Sequence, residues 1–166
     1  MSLVALNSEQ RRQLINVQQV YASWRMLDRE HRRRFSGGMR WGERSGGSYL
    51  LRKVGAAERS LGPRSEATEA AYAAFTNGRD RSREALKGLA ARLDELAPVN
   101  RAMRLGRMPQ IAARIARHCD DRGLLGGQLF IVGTNALYAY EALAGAYFDA
   151  GLLATDDLDV LLDTRR

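Results

Sequence analysis

The last strand-like segment of the chain constrains its fold more than any other feature. It runs from Thr155 to Leu162 and alternates polar and apolar residues before an apolar end. Successive side chains of a strand point to opposite faces, so Asp157 and Asp159 should share one face and Leu158 the other. The two backbone positions then lie about 6–7 Å apart. Their carboxylates can therefore converge on one or two hard cations.

A second element stands upstream of this segment. Residues 128–132 form a short apolar run that predicts a buried strand. Gly133 and Thr134 follow it and turn the chain into a helix, which is predicted from about Asn135 to Phe148. With the aspartate strand, these elements form a β-α-β pattern.

The first third of the chain is predicted to combine a long helix with a hairpin. Asn7 and Gln10 have the spacing of a helix start, and an apolar stripe continues to about Arg34. A β-hairpin with a glycine-rich tip is predicted for residues 39–53. The Gly-Pro sequence within residues 60–65 predicts a turn.

Two main helices are predicted between the hairpin and the β-α-β unit. Ser65 caps the first, which is expected to break at residues 77–78 and to end at Pro98. The second begins at Pro109, runs to about Asp121 and is expected to face the core with Ile111 and Ile115, Cys119 being a third candidate.

The elements together predict an α+β protein. Residues 1–97 would be a mostly helical region with a β-hairpin, and residues 98–166 the β-α-β start of a larger core with a mixed sheet. Two strands and a hairpin are few for a stable sheet. We therefore expect these residues to be the N-terminal part of a longer protein.

Charge is distributed unevenly along the chain. The formal net charge is +7, and 24 of the 26 basic residues are arginine. Residues 1–122 carry a net charge of +11, whereas residues 123–166 carry −4. An acidic segment that gathers cations beside a basic segment that meets polyphosphate is what a nucleotide-handling cleft requires. Two solvated surfaces of unlike sign would give the same numbers, so both interpretations stay open.

Cysteine and histidine usage narrows the metal chemistry. Cys119 is the only cysteine, which excludes an internal disulfide and a thiolate cluster and fits the reducing cytoplasm. Imidazole ligands could come only from His31 and His118. No run approaches the ~18–20 apolar residues needed to cross a bilayer, so no membrane partner is expected.

The order of the two motifs resembles a known signature. Gly133-Thr134 at a strand-to-helix turn, then Asp157-Leu158-Asp159 on the next strand, is similar to the pattern of the DNA polymerase β-like nucleotidyltransferase superfamily. A wider resemblance, over most of the chain, is to its bacterial GSLIP-type branch. That resemblance lies in Leu61-Gly62-Pro63-Arg64-Ser65, Asn100-Arg101-Ala102, Leu105-Gly106, residues 132–141 and residues 155–159.

The resemblance implies a metal-dependent transfer of a nucleoside monophosphate from an NTP such as ATP to an acceptor. Asp157 and Asp159 would be the catalytic residues and would bind two Mg²⁺ ions. Gly133 and Thr134, with Asn135 beside them, would bind the nucleotide phosphates at a helix N-terminus. The acceptor (RNA, protein or a small molecule) and the oligomeric state, a homo-oligomer included, stay open.

Three departures from the superfamily pattern limit the expected activity. Thr134 replaces the usual second small residue, and the 22 residues between Thr134 and Asp157 exceed the usual interval. The third carboxylate has no candidate, since Asp163 lies roughly 20 Å from Asp157 along a strand. The chain by itself is therefore expected to be catalytically incomplete.

Two alternatives from other functional classes stay open. One is a basic helical module that binds nucleic acid or a partner protein through its arginine-rich part. Strongly salt-dependent binding without any need for NTP or Mg²⁺ would indicate it. The other is a pseudo-enzyme that senses nucleotide, for which binding without pyrophosphate release would be diagnostic.

Overall fold

A computed structural model describes residues 3–44, 46–148, 151, 153 and 157–165. Over these residues the protein is α+β, which confirms the predicted fold class. Helices and three small sheets follow one another along the chain as β1 (Leu3–Ala5), α1 (Ser8–Phe35), β2 (Gly38–Arg44), β3 (Gly47–Val54), β4 (Ala57–Pro63), α2 (Glu66–Ala102), α3 (Gln110–Asp121), β5 (Leu129–Ile131), a 3-10 turn (Thr134–Ala136), α4 (Leu137–Ala144), β6 (Ala146–Phe148) and β7 (Val160–Leu162).

Local hydrogen bonds begin α1 where the sequence predicts. The Asn7 N–H donates to Gln10 Oε1 at 3.0 Å, and the Gln10 N–H donates to Asn7 Oδ1 at 2.9 Å. This reciprocal pair satisfies two donors that the first turn leaves unpaired. After the helix ends at Phe35, Gly37 takes a φ of 73°, and a Cβ there would collide with the Lys53 carbonyl oxygen. Glycine is therefore required where α1 stops.

The sheet that follows has one strand more than predicted. The hairpin of residues 39–53 is confirmed, since β2 and β3 pair antiparallel along their length. The turn predicted at residues 60–65 is wrong, because β4 covers most of it and pairs with β3. Gly62 takes a φ of 127° opposite an irregularity between Leu50 and Leu51. The Gly-Pro sequence therefore lies at a bulge in the last residues of an edge strand, which ends at Pro63.

Helix α2 begins as predicted but is longer. The Thr68 N–H donates to Ser65 Oγ at 3.3 Å and the Ser65 N–H to Thr68 Oγ1 at 2.9 Å, so Ser65 caps the helix. The predicted break at residues 77–78 and end at Pro98 are wrong, since α2 passes through both. A Cβ at Gly78 would come within 2.9 Å of the Phe35 ring. Glycine at this position serves close packing and does not interrupt the helix.

Helix α3 lies where the sequence predicts it, but the face that it buries is not the predicted one. It starts directly after Pro109. The prediction that Ile111 and Ile115 face the core is wrong, because these side chains are 75% and 44% exposed. Ala112 is the residue that α3 buries. The helix therefore presents its smallest apolar side chain to the interior and leaves two isoleucines on the surface.

The end of the chain follows the predicted order of strand, helix and strand, but with a shorter helix and a shorter last strand. The prediction that Asp157 and Asp159 lie on that strand is wrong, because β7 begins only at Val160; residues 155 and 156 lie outside the described residues. The helix predicted for residues 135–148 ends at Ala144, because Gly145 takes the left-handed conformation at φ 61° and ψ 37°. Residues 146–148 instead form β6, which pairs antiparallel with β1. Strands β5 and β7 also pair antiparallel, and the described residues add one isolated parallel bridge between Leu125 and Leu129.

The chain forms two compact units. One combines residues 1–16 with 96–166, and the other contains residues 17–95. Because clusters of contacts are not by themselves domains, the predicted division after residue 97 stays a prediction. Each unit has its own small core: Leu6, Leu96, Leu105, Ala112 and Leu153 in the first, and Leu50, Leu51 and Phe75 in the second. Within the described ranges, no helix is both long and apolar enough to cross a bilayer.

Candidate active site

The turn after β5 can be formed only by glycine. Gly133 takes a φ of 64° and a ψ of −154°, a combination that side chains exclude. A Cβ built on Gly133 would overlap Asp159 Oδ2. The Asp159 carboxylate thus lies against the backbone of the turn, in space that any other residue would fill. The predicted phosphate-binding bend and one of the predicted metal ligands are therefore neighbours.

Asn135 connects the turn to the backbone of Asp157, the other predicted metal ligand. Its side chain is 2% exposed, and Nδ2 donates to the backbone carbonyl of Asp157 at 2.6 Å. Its Oδ1 is buried and has no hydrogen-bond partner among the described residues. Asn135 thus holds the segment before β7 that carries both aspartates, and its side chain is turned away from solvent. Sequence reasoning placed it in the nucleotide-binding set but could not show this contact.

Strand pairing fixes which aspartate reaches the turn. Val160 lies opposite Ile131, and the Val132 N–H donates to the Asp159 carbonyl at 3.0 Å. At the other end of the pair, the Asp163 N–H donates to the Gln128 carbonyl at 2.8 Å. Asp159 therefore lies at the Gly133 end of the strand pair and Asp163 at the far end. This agrees with the inference that Asp163 is not the third carboxylate.

Both predicted metal ligands are accessible. Asp157, Asp159 and Gly133 are exposed, while Thr134 is half-buried at the start of the 3-10 turn. Asp157 also borders a groove of about 420 Å³ whose other walls are Leu158 and the N-terminal turns of α3, namely Pro109, Gln110, Ile111, Ala112 and Ile115. The groove leaves room for a ligand beside Asp157.

The carboxylates of Asp157 and Asp159 suit a hard cation that also binds water or phosphate oxygens. Within the part of the chain that the structure describes, no group of three or more histidine, cysteine, aspartate or glutamate side chains forms a metal cage. Mg²⁺ is commonly bound by one or two carboxylates together with water and substrate phosphates. Asp157 and Asp159 meet that minimum.

A buried ion pair that sequence reasoning missed anchors the helix behind the turn. Glu141 on α4 is 6% exposed and binds the Arg107 guanidinium, and its Oε1 also accepts from the Phe148 N–H at 2.7 Å. The Arg107 Cζ lies 4.7 Å from the centre of the Tyr147 ring. Burial raises the pKa of the Tyr147 hydroxyl, an effect that Arg107 opposes and Glu141 reinforces. The sequence did contain a signal for this pair, because Glu141 is the one acidic residue in an otherwise apolar and aromatic helix.

Replacing Asn135 with alanine is expected to lower the free energy of unfolding by about 1–2 kcal/mol, because the Asp157 carbonyl loses its buried donor. The loss stays modest because the unpaired Oδ1 disappears as well. Urea unfolding followed by circular dichroism measures it. Asn77→Ala is the control, since Asn77 is exposed on α2. Equal unfolding midpoints for the two variants would show that the contact contributes nothing.

Comparison with known proteins is consistent with this geometry. A protein-family model described as Nucleotidyltransferase matches residues 110–166. The matched segment begins with α3 and contains Gly133, Thr134, Asn135, Asp157 and Asp159. No curated protein and no solved structure matches the chain. The family match supports the assignment of residues 110–166 to the nucleotidyltransferase superfamily, without reaching the GSLIP-type branch.

Proposed function

We propose that this chain carries the nucleotide-binding half of a metal-dependent nucleotidyltransferase centre. Asp157 and Asp159 would hold Mg²⁺, and the backbone of Gly133 and Thr134 would receive the phosphates of an NTP. The reaction served by this centre would transfer a nucleoside monophosphate to a hydroxyl-bearing acceptor and release pyrophosphate. Asn135 would act through the Asp157 backbone, which it holds in place.

The observation that carries the proposal is the approach of Asp159 to Gly133. A signature of turn and aspartates has chemical meaning only if both parts face one space. The Asp159 carboxylate touches the position where a Gly133 side chain would stand, and the Asn135 side chain binds the Asp157 backbone. Residues more than 20 positions apart in sequence are thereby brought within contact distance.

The roles of the two sides of this space follow from their charge. Carboxylates repel a triphosphate, so the aspartates alone would exclude the substrate. Mg²⁺ held by Asp157 and Asp159 would neutralise phosphate charge, polarise the reacting phosphorus and stabilise the leaving group. At the turn itself, no side chain of the described residues caps the 3-10 turn at Thr134. Its first backbone N–H groups are thus available to donate to phosphate oxygens.

The test is Mg²⁺-dependent binding of a non-hydrolysable ATP analogue, measured by calorimetry with Mg²⁺ and with EDTA. Binding does not require the third carboxylate, so it suits the chain as it exists. Asp159→Asn keeps the side-chain shape but removes the charge, and should weaken binding about tenfold, equivalent to about 1.4 kcal/mol. Asp163→Asn is the matched control, because Asp163 lies at the far end of the same strand pair.

Each outcome decides the proposal. Mg²⁺-dependent binding that Asp159→Asn weakens and Asp163→Asn leaves unchanged supports it. Binding that is equally strong in EDTA, or equally weakened by both substitutions, contradicts it. Circular dichroism spectra of both variants establish that any loss does not come from unfolding.

A further inference from the structure

The two faces of the β2–β3–β4 sheet differ in how their charges are compensated. On one face, Glu58 lies directly opposite Lys53 and also accepts from Arg40 Nη2 at 3.0 Å. On the other face, Arg52 and Arg59 lie directly opposite each other. Like charges at directly opposed positions of a sheet are destabilising. One face is therefore neutralised and the other is not.

Arg52 is the buried member of this uncompensated pair. It is 9% exposed, and its guanidinium Cζ lies 4.4 Å from the centre of the Phe75 ring. Its hydrogen bond goes to the Lys53 carbonyl at 3.5 Å, the limit of such a contact. Within the described residues, neither Arg52 nor Arg59 forms an ion pair with a carboxylate. The ring supports the guanidinium but leaves most of its donors without a strong acceptor.

A third arginine, Arg79 on α2, approaches the ring that Arg52 contacts. The Arg79 Cζ lies 5.5 Å from the centre of the Phe75 ring, and Arg79 Nε is buried without a hydrogen-bond partner in the described part of the chain. Its closest carboxylate is Asp80, at 3.8 Å from Nε, and Asp80 is shared with Arg83 at 3.9 Å. Burial lowers the pKa of Arg52, and repulsion from Arg59 and Arg79 lowers it further. Arg52 thus lies close to two other cations, and it has no carboxylate partner of its own among the described residues.

An open groove gives access to Arg52 and Arg59. It has a volume of about 290 Å³ and is lined by Arg52, Val54, Ala57 and Arg59. Guanidinium groups bind phosphate oxygens through paired, charge-assisted hydrogen bonds. We propose that the groove between Arg52 and Arg59 binds a phosphate group, presented either by the backbone of a single-stranded nucleic acid or as free phosphate. This site is independent of the proposed nucleotidyltransferase centre.

The primary experiment uses Arg59, because this residue is exposed and its removal does not open the core. Fluorescence anisotropy measures binding of a labelled oligothymidylate of about 12 nucleotides at several salt concentrations. EDTA is present throughout, so that metal-dependent binding at Asp157 and Asp159 does not contribute. Arg59→Gln should bind about fivefold more weakly than the unaltered chain. Its slope of log K against log salt should be smaller by about 0.7 per lost contact.

Arg33→Gln is the matched control. Arg33 is exposed near the end of α1, in the same unit, and its loss changes the net charge by the same single unit. A second measurement replaces the oligonucleotide with inorganic phosphate and follows the melting temperature, with sodium chloride at equal ionic strength as reference. Phosphate should raise the melting temperature of the unaltered chain by about 2 °C more than that of Arg59→Gln.

The two measurements distinguish a nucleic-acid backbone from free phosphate as the source of the phosphate group. Oligonucleotide binding that Arg59→Gln weakens and Arg33→Gln preserves assigns the groove to a nucleic-acid backbone. A phosphate-specific rise in melting temperature that needs Arg59, without oligonucleotide binding, assigns it to free phosphate. Equal losses in the two variants show a general effect of positive charge and overturn the proposal. Absence of both responses overturns it as well.

Discussion

Replacing Glu141 with alanine is expected to lower the free energy of unfolding by about 3–5 kcal/mol, the usual cost of removing one partner from a buried ion pair. Glu141 is 6% exposed and accepts from both Arg107 and the Phe148 N–H. Its loss leaves the Arg107 guanidinium charged and without its carboxylate, with its side chain 25% exposed. The Phe148 N–H is left unpaired at the same time. Urea or thermal unfolding measures the change.

Glu95→Ala provides the control for this prediction. Glu95 pairs with Arg92 on α2 at 2.9 Å, but both side chains are more than half exposed. An exposed pair of this kind contributes less than about 1 kcal/mol. Replacing Glu141 and Arg107 together with leucine should be less harmful than Glu141→Ala alone, because no buried charge is then left unpaired. Equal losses for Glu141→Ala and Glu95→Ala would contradict the role of burial.

Gly133→Ala should reduce both stability and Mg²⁺-dependent nucleotide binding. Backbone strain at φ 64° and ψ −154° alone costs about 1–3 kcal/mol. The added Cβ would also displace the Asp159 carboxylate from the turn. Binding of the ATP analogue should fall about tenfold, the same loss that is expected for Asp159→Asn. Unfolding and calorimetry on the same samples measure the two effects separately.

Gly145→Ala separates strain from displacement of the carboxylate. Gly145 also has a left-handed φ, of 61°, at the other end of α4. A Cβ there meets nothing closer than Arg11 Nε at 3.7 Å. This variant should lose about 1 kcal/mol of stability from the left-handed conformation and keep its nucleotide binding. If Gly145→Ala and Gly133→Ala weaken binding alike, the contact with Asp159 is not what positions the site.

The candidate site was predictable from the sequence in its parts but not in its connections. Gly133 at the end of a short strand and the Asp-x-Asp alternation are local patterns, visible within a few residues. The register that puts Asp159 against Gly133 depends on pairing between β5 and β7, which are separated by 28 residues of chain. The Asn135 contact with the Asp157 carbonyl depends on the same register.

Two wrong predictions of secondary structure have the same cause. Gly78 has the sequence signature of a break, but the Phe35 ring uses the space that its missing side chain leaves. Residues 146–148 continue a helical pattern, but Gly145 reverses the chain so that they pair with β1. In both cases a partner distant in sequence decides how a glycine is used.

The sequence by itself determined several features whose hydrogen bonds span three or four residues, although not the ends of α2 and α4. The caps at Asn7 and Ser65 and the extents of α1 and α3 are of this kind, because their energies are settled by neighbours along the chain. Only the tertiary structure decided the third strand β4, the Arg107–Glu141 pair and the meeting of Gly133 with Asp159. These depend on contacts between distant segments, for which many registers are compatible with the same local pattern.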